Sequence, residues 1–336
     1  MENTSATIPI APCSLKPAKL VDVSVIMPAH AEEQSVGPVL DRVRQAMDGL
    51  GVSWEVIVVD DGSPDRTGEI AAGRGARVLS HPYNIGNGAA VKTGIRNARG
   101  KRLVLLDADG QHPPERIPDL LAGLDAYDMV VGARTRESAS GAHRNMANAL
   151  YNRLATYVSG RRIEDLTSGF RALRARVARE FVNLLPNTFS YPSTLTLAVL
   201  RCGYSLAYIP VTTDARKGKS KIKLFRDGAR FLLIIMKIAT MFAPMRIFLP
   251  VSLAMFLTGL GWGLYKVFVL HTRYGPTSAL LMTVAVLVFL IGLVSEQVAQ
   301  LRVDHKDLRT VEMSPPDAGA DNARSGAAEN AVRGRD

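Results

Sequence analysis

Residues 103–111 read Leu-Val-Leu-Leu-Asp-Ala-Asp-Gly-Gln. Four large apolar residues in a row suit a strand buried on both faces, and the acidic turn Asp107-Ala108-Asp109-Gly110 ends it. The pattern repeats at residues 55–62, where Glu-Val-Ile-Val-Val runs into Asp60-Asp61-Gly62. It occurs again at residues 23–28, where Val-Ser-Val-Ile-Met runs into Pro28, and more weakly at 77–80 and 129–131. Helical stretches fall between, at roughly 33–49, 65–74, 87–99 and 114–124. Apolar strands alternating with helices predict an α/β fold with a mainly parallel sheet covered on both faces. Ligands of such sheets bind beyond the carboxyl ends of the strands. Pro28, Glu32, Asp60, Asp61, Asp107 and Asp109 are therefore expected to converge on one crevice.

The chemistry of that crevice follows from its residue types. Two carboxylates at i and i+2 after a strand, Asp107 and Asp109, can share one divalent ion, with Gln111 as a further oxygen nearby. Hard oxygen ligands in that number suit Mg²⁺ or Mn²⁺ with substrate phosphates completing the shell. Asp60-Asp61-Gly62-Ser63 can accept hydrogen bonds from a ribose hydroxyl or a base NH, while Asp65 can cap the helix that follows. Asn84-Ile85-Gly86-Asn87-Gly88 follows the third strand and lacks a third glycine, so it reads as a tight turn opening a helix near a nucleotide, not as a hydride-transfer fingerprint. The six histidines show no metalloprotease spacing, and His81 and His112 carry no assigned role. Two cysteines exclude a disulfide scaffold or a four-cysteine zinc site.

The 336-residue chain has a net charge of +10 and a mean hydropathy of +0.07, and neither value is evenly spread. Residues 1–133 carry a net charge of −4, residues 134–230 carry +12 and residues 231–336 carry +2. The middle block holds Arg134 and Arg136, the run Asp165-Leu-Thr-Ser168-Gly-Phe-Arg171, and Arg216-Lys-Gly-Lys-Ser220-Lys221. Arginine forks and lysine point charges suit phosphate oxygens. Stacking aromatics for single-stranded nucleic acid are sparse, so phosphates at a membrane surface fit better than nucleic acid.

The apolar content is concentrated at residues 247–270 and 277–298, each about the length of a bilayer span. Basic residues flank the pair on both outer sides, and the short turn between carries only Arg273, so both flanks are expected in the cytoplasm. Residues 225–244 read as an amphipathic helix in the headgroup layer. The predicted layout is a flexible N-terminus over 1–20, a cytoplasmic domain over 21–224, the interfacial helix over 225–244, two spans within 246–301 and a disordered tail over 313–336. No secretory signal is read at the start, so the domain and both termini are expected on the cytoplasmic side of an inner membrane.

Taken together, VSVIMPAHAEE, VIVVDDGSPDRT, NIGNGAAVKTGIRNARG, VLLDADGQHPPERI, VVGAR, DLTSGFR and RKGKSK resemble glycosyltransferase family 2 in its GT-A fold, a Rossmann-like nucleotide-sugar-binding architecture. The chain is similar to the polyprenyl-phosphate hexose transferases of that family, the dolichol-phosphate mannosyltransferase group and its bacterial relatives. The match covers about residues 22–225, and two C-terminal spans are common in the bacterial members.

The resemblance implies roles. Pro28, Ala29, Glu32 and Asp60 would contact the donor nucleotide, with Asp61, Gly86 and Gly88 nearby. Asp107, Asp109 and Gln111 would hold the metal and the donor diphosphate. Arg134, Ser168 and Arg171 would face the diphosphate and the acceptor phosphate, and Arg216, Ser220 and Lys221 would close over the lipid phosphate. Where the family often has an aromatic residue and Asn before the Glu of the first motif, this chain has His30-Ala31, which leaves base and sugar identity open. The implied partners are a nucleotide-sugar donor, a polyprenyl-phosphate acceptor and the membrane, and relatives of this architecture can form homo-oligomers. Two other readings explain less: a transferase acting on a saccharide hydroxyl, for which the QxxRW-like motif of processive members is missing, and a non-catalytic membrane scaffold, which would not need both acidic pairs.

Overall fold

The computed structural model describes residues 20–135, 142–188, 190–213, 240 and 243–313. The chain divides into two compact units, residues 1–238 and 239–336. In the first, the order is β1 (Val21–Ala29), α1 (Val36–Asp48), β2 (Trp54–Asp60), α2 (Thr67–Gly73), β3 (Arg77–Ser80), α3 (Asn87–Asn97) and β4 (Gly100–Leu105). There follow α4 (Ile117–Gly123), β5 (Met129–Arg134), α5 (Ala142–Ser159), β6 (Arg171–Arg174), α6 (Ala175–Phe181), α7 (Tyr191–Arg201) and β7 (Leu206–Val211).

All seven strands join one sheet in the order β3-β2-β1-β4-β6-β5-β7. Every pairing is parallel except those of β6, which runs antiparallel to both β4 and β5. The five strands expected from the sequence are all present, and β6 and β7 are additions. The connection from β4 through α4 to β5 leaves an open place in the sheet, and β6 fills it.

Burial explains why the strands read as continuous apolar runs. Val23, Val25 and Met27 of β1 belong to a core shared with Val36, Leu40 and Val43 of α1 and Leu120 of α4. Ile26, on the opposite face of β1, packs against α3, where a Cβ on Gly94 would stand 2.3 Å from the Ile26 side chain. Each of these buried aliphatic side chains stabilises the sheet by roughly 1.5–3 kcal/mol. The register places Ala29 beside Asp60 and Ile26 beside Leu105, so the carboxyl ends of β1, β2 and β4 lie together.

The second unit contains α8 (Met245–Phe268) and α9 (Pro276–Met313), packed against each other. Met245–Phe268 and Pro276–Gln300 are long and apolar enough to cross a membrane, with mean hydropathies of 1.8 and 2.6. Close contact runs through small residues: a Cβ on Gly259 would stand 3.1 Å from Met282 and one on Gly292 would stand 2.5 Å from Phe248. The Met245 N–H, which at the start of α8 has no acceptor within the helix, donates to Glu296 of α9 at 3.3 Å. The predicted interfacial helix lies mostly outside the described residues, and the tail after Met313 lies wholly outside them.

Candidate active site at the strand ends

The loops after β1 and β2 are stitched together by their own polar side chains. His30 donates from Nδ1 to the Asp61 carbonyl at 2.9 Å. Ala31 N–H donates to Ser63 Oγ at 3.0 Å, and Glu32 N–H to Thr67 Oγ1 at 2.9 Å. Asp65 sits two residues ahead of Thr67, where α2 begins, with Arg66 at the cap position between them, and it accepts from Thr67 N–H at 3.1 Å and from Glu33 N–H at 3.3 Å. These bonds hold Ala31 at φ +56°, a left-handed conformation that a non-glycine residue adopts at a cost. The result places Glu32, half-buried, beside the ends of the strands, with its Oε2 accepting from Ser35 Oγ at 2.6 Å. Pro28 and Ala29 are buried within β1, so their side chains shape the floor beneath this loop.

Asp60 and Asp61 have opposite surroundings. Asp60 is half-buried and accepts from Ser63 N–H at 3.0 Å. Asp61 is 1% exposed, and both of its oxygens are used internally. Its Oδ1 accepts from His81 Nδ1 at 2.7 Å and Ile85 N–H at 3.0 Å, and its Oδ2 accepts from Gly86 N–H at 2.8 Å. Burial pushes the Asp61 carboxyl up, but these hydrogen bonds outweigh it and hold it below the usual carboxylate range. Asp61 therefore fixes the turn before α3. His81, unassigned from the sequence, completes this arrangement and also reaches Thr93 Oγ1 at 2.9 Å.

Gly86 and Gly88, expected beside a nucleotide, also meet the backbone of a distant loop. A Cβ on Gly86 would stand 2.4 Å from the Asn187 carbonyl oxygen, and one on Gly88 would stand 2.1 Å from that of Pro186. Both glycines admit the backbone of residues 186–188, and Ala89 N–H donates to Asn187 O at 3.2 Å.

Asp107 and Asp109 occupy the turn after β4, where Gly110 takes φ +76° and Gln111 N–H donates to Asp109 Oδ1 at 3.1 Å. Asp107 Oδ2 lies 3.5 Å from His112 Nε2, and the His112 ring stacks on Phe170 with centroids 5.4 Å apart. Burial pushes the Asp107 carboxyl up, but His112, Asn87 and the charge of Arg171 hold it below its ordinary value, so it is ionised. His112 is thus a second residue near the site that the sequence left without a role. Its signal was its position, five residues after Asp107.

Arg134, at the end of β5, forms a two-pronged ion pair with Asp165: Nε to Oδ2 at 2.7 Å and Nη2 to Oδ1 at 2.9 Å. Burial opposes charge on Arg134, but Asp165 and Asp107 outweigh it, and the guanidinium stays protonated at the edge of the crevice. The Asp165 carboxyl, likewise raised by burial, is held low chiefly by Arg134.

Ser168 and Arg171 do not reach the crevice surface as expected. Ser168 is 1% exposed and donates to the Gly132 carbonyl at 2.7 Å. Arg171 begins β6, paired with Leu105 of β4 and Val131 of β5, and is fully buried. It donates to Pro192 O at 3.0 Å, Thr196 Oγ1 at 3.1 Å and the Ser168 carbonyl. Arg171 lies at the edge of the sheet where β4 ends, with its head group held by these internal acceptors, and its charge acts on Asp107. Arg216, Ser220 and Lys221 lie outside the described residues.

The donor set fits a divalent cation that also binds substrate. Asp107 and Asp109 offer hard oxygens, and among the described residues no group of three His, Cys, Asp or Glu side chains forms a closed protein cage. Two carboxylates leave most of an octahedral shell to phosphates and water.

The glycosyl transferase family 2 model matches residues 24–182, and the GtrB C-terminal hairpin model matches residues 243–301. The dolichyl-phosphate hexose transferase of Haloferax volcanii is 33% identical over 220 residues, covering 65% of this chain and 93% of that protein. The undecaprenyl-phosphate 4-deoxy-4-formamido-L-arabinose transferase of Edwardsiella ictaluri is 34% identical over 183 residues, covering 50% of this chain and 56% of that protein. The chain thus spans little more than half the length of the arabinose transferase. Among solved structures, glucosyl-3-phosphoglycerate synthase from Mycobacterium tuberculosis superposes with a TM-score of 0.54 at 21% identity, covering 65% of this chain and 80% of that one, a likeness of fold. With its seven-stranded sheet, acidic strand ends and apolar hairpin, the chain belongs to glycosyl transferase family 2, with polyprenyl-phosphate sugar transferases among its relatives.

Proposed function

We propose that this glycosyltransferase moves a hexose from a nucleotide-diphosphate sugar to a polyprenyl monophosphate with inversion at the anomeric carbon. The observation that carries the reading is the placing of ionised Asp107 beside the Arg134–Asp165 pair, in a chain that also carries a hairpin of spanning length. The names of the Haloferax volcanii and Edwardsiella ictaluri relatives support polyprenyl phosphate as acceptor. The Mycobacterium tuberculosis synthase, solved with Mn²⁺, UDP and glucosyl-3-phosphoglycerate, supports a divalent metal and a nucleotide-sugar donor.

In this reading Glu32 and Asp60 line the nucleotide side, with Asp61 positioning the turn behind them. Asp107 and Asp109, with Gln111, hold Mg²⁺ or Mn²⁺, which when bound neutralises charge on the leaving diphosphate. Arg134 lends a fixed positive charge to the diphosphate or the acceptor phosphate, and Asp165 keeps its fork oriented. Arg216, Ser220 and Lys221 complete the acceptor phosphate contacts. A lipid monophosphate has a second pKa near 6 and is mostly dianionic at neutral pH, so it attacks without a strong general base. Alignment by cations is the larger requirement. Single displacement on an α-linked nucleotide hexose gives a β-linked lipid-phosphate sugar. The catalytic unit and both termini are placed on the cytoplasmic side of an inner membrane in this reading, which the basic flanks support.

The test is incubation of the purified full-length protein with undecaprenyl phosphate, Mg²⁺ or Mn²⁺ and a panel of UDP- and GDP-sugars. At least one donor should yield a lipid-phosphate sugar. Absence of product from every donor overturns the reading.

A further inference from the structure

The amino ends of the parallel strands carry a second concentration of charge, at the opposite edge of the sheet from the acidic turn. β4 begins Gly100-Lys101-Arg102, antiparallel β6 ends at Arg174, and the register sets Arg102 directly opposite Arg174. α6 adds Arg176 and Arg179. These five cations, with Asp22 and Ala175, line a recess of about 510 Å³. At about 3.3 Å per residue, Lys101 and Asp107 are separated by roughly 20 Å of strand.

The fold does not require this arrangement. Like charges directly opposite in a sheet repel one another. The acidic compensation is incomplete: Asp128 lies 2.8 Å from Arg176 and 3.6 Å from Arg174, and among the described residues Asp22 is the only carboxylate lining the recess. Hydrogen bonds from Ser53, ahead of the charges of Lys101 and Arg102, hold the Asp22 carboxyl below its usual range, so it is ionised but occupied with Ser53. Arg174 has its Nε against Asp128 and donates from Nη2 to Leu124 O at 2.8 Å, and Arg179 donates to Ala98 O at 2.9 Å, whereas Lys101 and Arg102 make no side-chain hydrogen bond among the described residues. A space of this volume is in the range of small-ligand sites, and guanidinium forks match the oxygens of phosphate.

We infer that this recess is a second anion site, binding a phosphate-bearing molecule away from the strand-end crevice through Lys101, Arg102, Arg174, Arg176 and Arg179. A soluble organic phosphate and a phospholipid headgroup present the same oxyanion chemistry. The site stands independently of the sugar and acceptor assigned above.

Isothermal titration of the full-length protein in detergent tests it, using sodium pyrophosphate with EDTA in one arm. The other arm uses dihexanoyl phosphatidylglycerol, with dihexanoyl phosphatidylcholine as the zwitterionic control. Saturable binding is expected, weakened about tenfold or more in Lys101→Ser/Arg102→Ser at unchanged Tm. Lys101→Glu, at an exposed position, should weaken it in the same direction and serves if the double variant does not fold. Binding of pyrophosphate alone assigns a soluble phosphate, and binding of phosphatidylglycerol but not phosphatidylcholine assigns a lipid headgroup. No saturable binding in either arm, or equal binding by wild type and both variants, overturns the inference.

Discussion

Gly169 lies so close to Asp107 that a Cβ at position 169 would stand 2.7 Å from the Asp107 Oδ2 atom. The loop before β6 therefore buttresses the carboxylate at the end of β4, although 62 residues separate the two in the chain. Gly169→Ala should displace Asp107 and lower turnover by about 10- to 100-fold, the usual cost of disturbing a support behind a metal ligand. Raising the Mg²⁺ or Mn²⁺ concentration should recover part of the loss, measured as a shift in the metal dependence of the initial rate.

Asp109 is half-exposed and outside the core, so its removal tests the chemistry apart from the fold. Asp109→Ala should abolish transfer while circular dichroism and Tm remain those of the wild type. An active variant would remove the metal role from this residue.

Arg134 and Asp165 form an ion pair with side-chain exposures of 22% and 7%. Removing one partner leaves the other charge desolvated. Asp165→Ala should destabilise by about 3 kcal/mol, with some relief from the exposed edge of Arg134. The double variant Arg134→Met/Asp165→Leu should regain most of that stability in denaturant unfolding yet remain inactive.

Arg171 separates a packing role from a phosphate-binding one. Arg171→Met removes three hydrogen bonds from a fully buried position on β6. The expected outcome is a fall of about 2–4 kcal/mol in unfolding free energy, because buried carbonyl acceptors lose their donors. The KM for lipid phosphate in the folded fraction should hold near wild type. A large rise in KM at unchanged stability would restore direct contact with the acceptor.

Asp61 links stability to acidity. Its folded-state pKa lies below the ordinary carboxylate value of 3.8. The stabilisation from its hydrogen bonds is therefore complete above about pH 4 and is lost as pH falls through the lowered folded value. Wild type should exceed Asp61→Asn in Tm at pH 7, and the gap should narrow as thermal scans move below pH 4.

The amino-acid sequence by itself determined the alternating α/β pattern, the acidic ends of β2 and β4 and the two apolar helices. Each of these is a local signal: an uninterrupted apolar run, a turn that ends it, or a length matched to a bilayer. His30-Ala31 was visible as a departure from the family, but its use as a clamp on Asp61 depends on a contact between separate loops. β6 could not be read from Arg-Ala-Leu-Arg, since arginine at both ends of four residues resembles an exposed turn. Only its insertion between β4 and β5 buries Arg171. Asp61, Gly86 and Gly88 were legible as polar and flexible positions near a ligand crevice. Tertiary structure decided that Asp61 binds a turn and that the glycines admit residues 186–188, because satisfying a buried carboxylate and packing backbone on backbone both need partners distant in the chain.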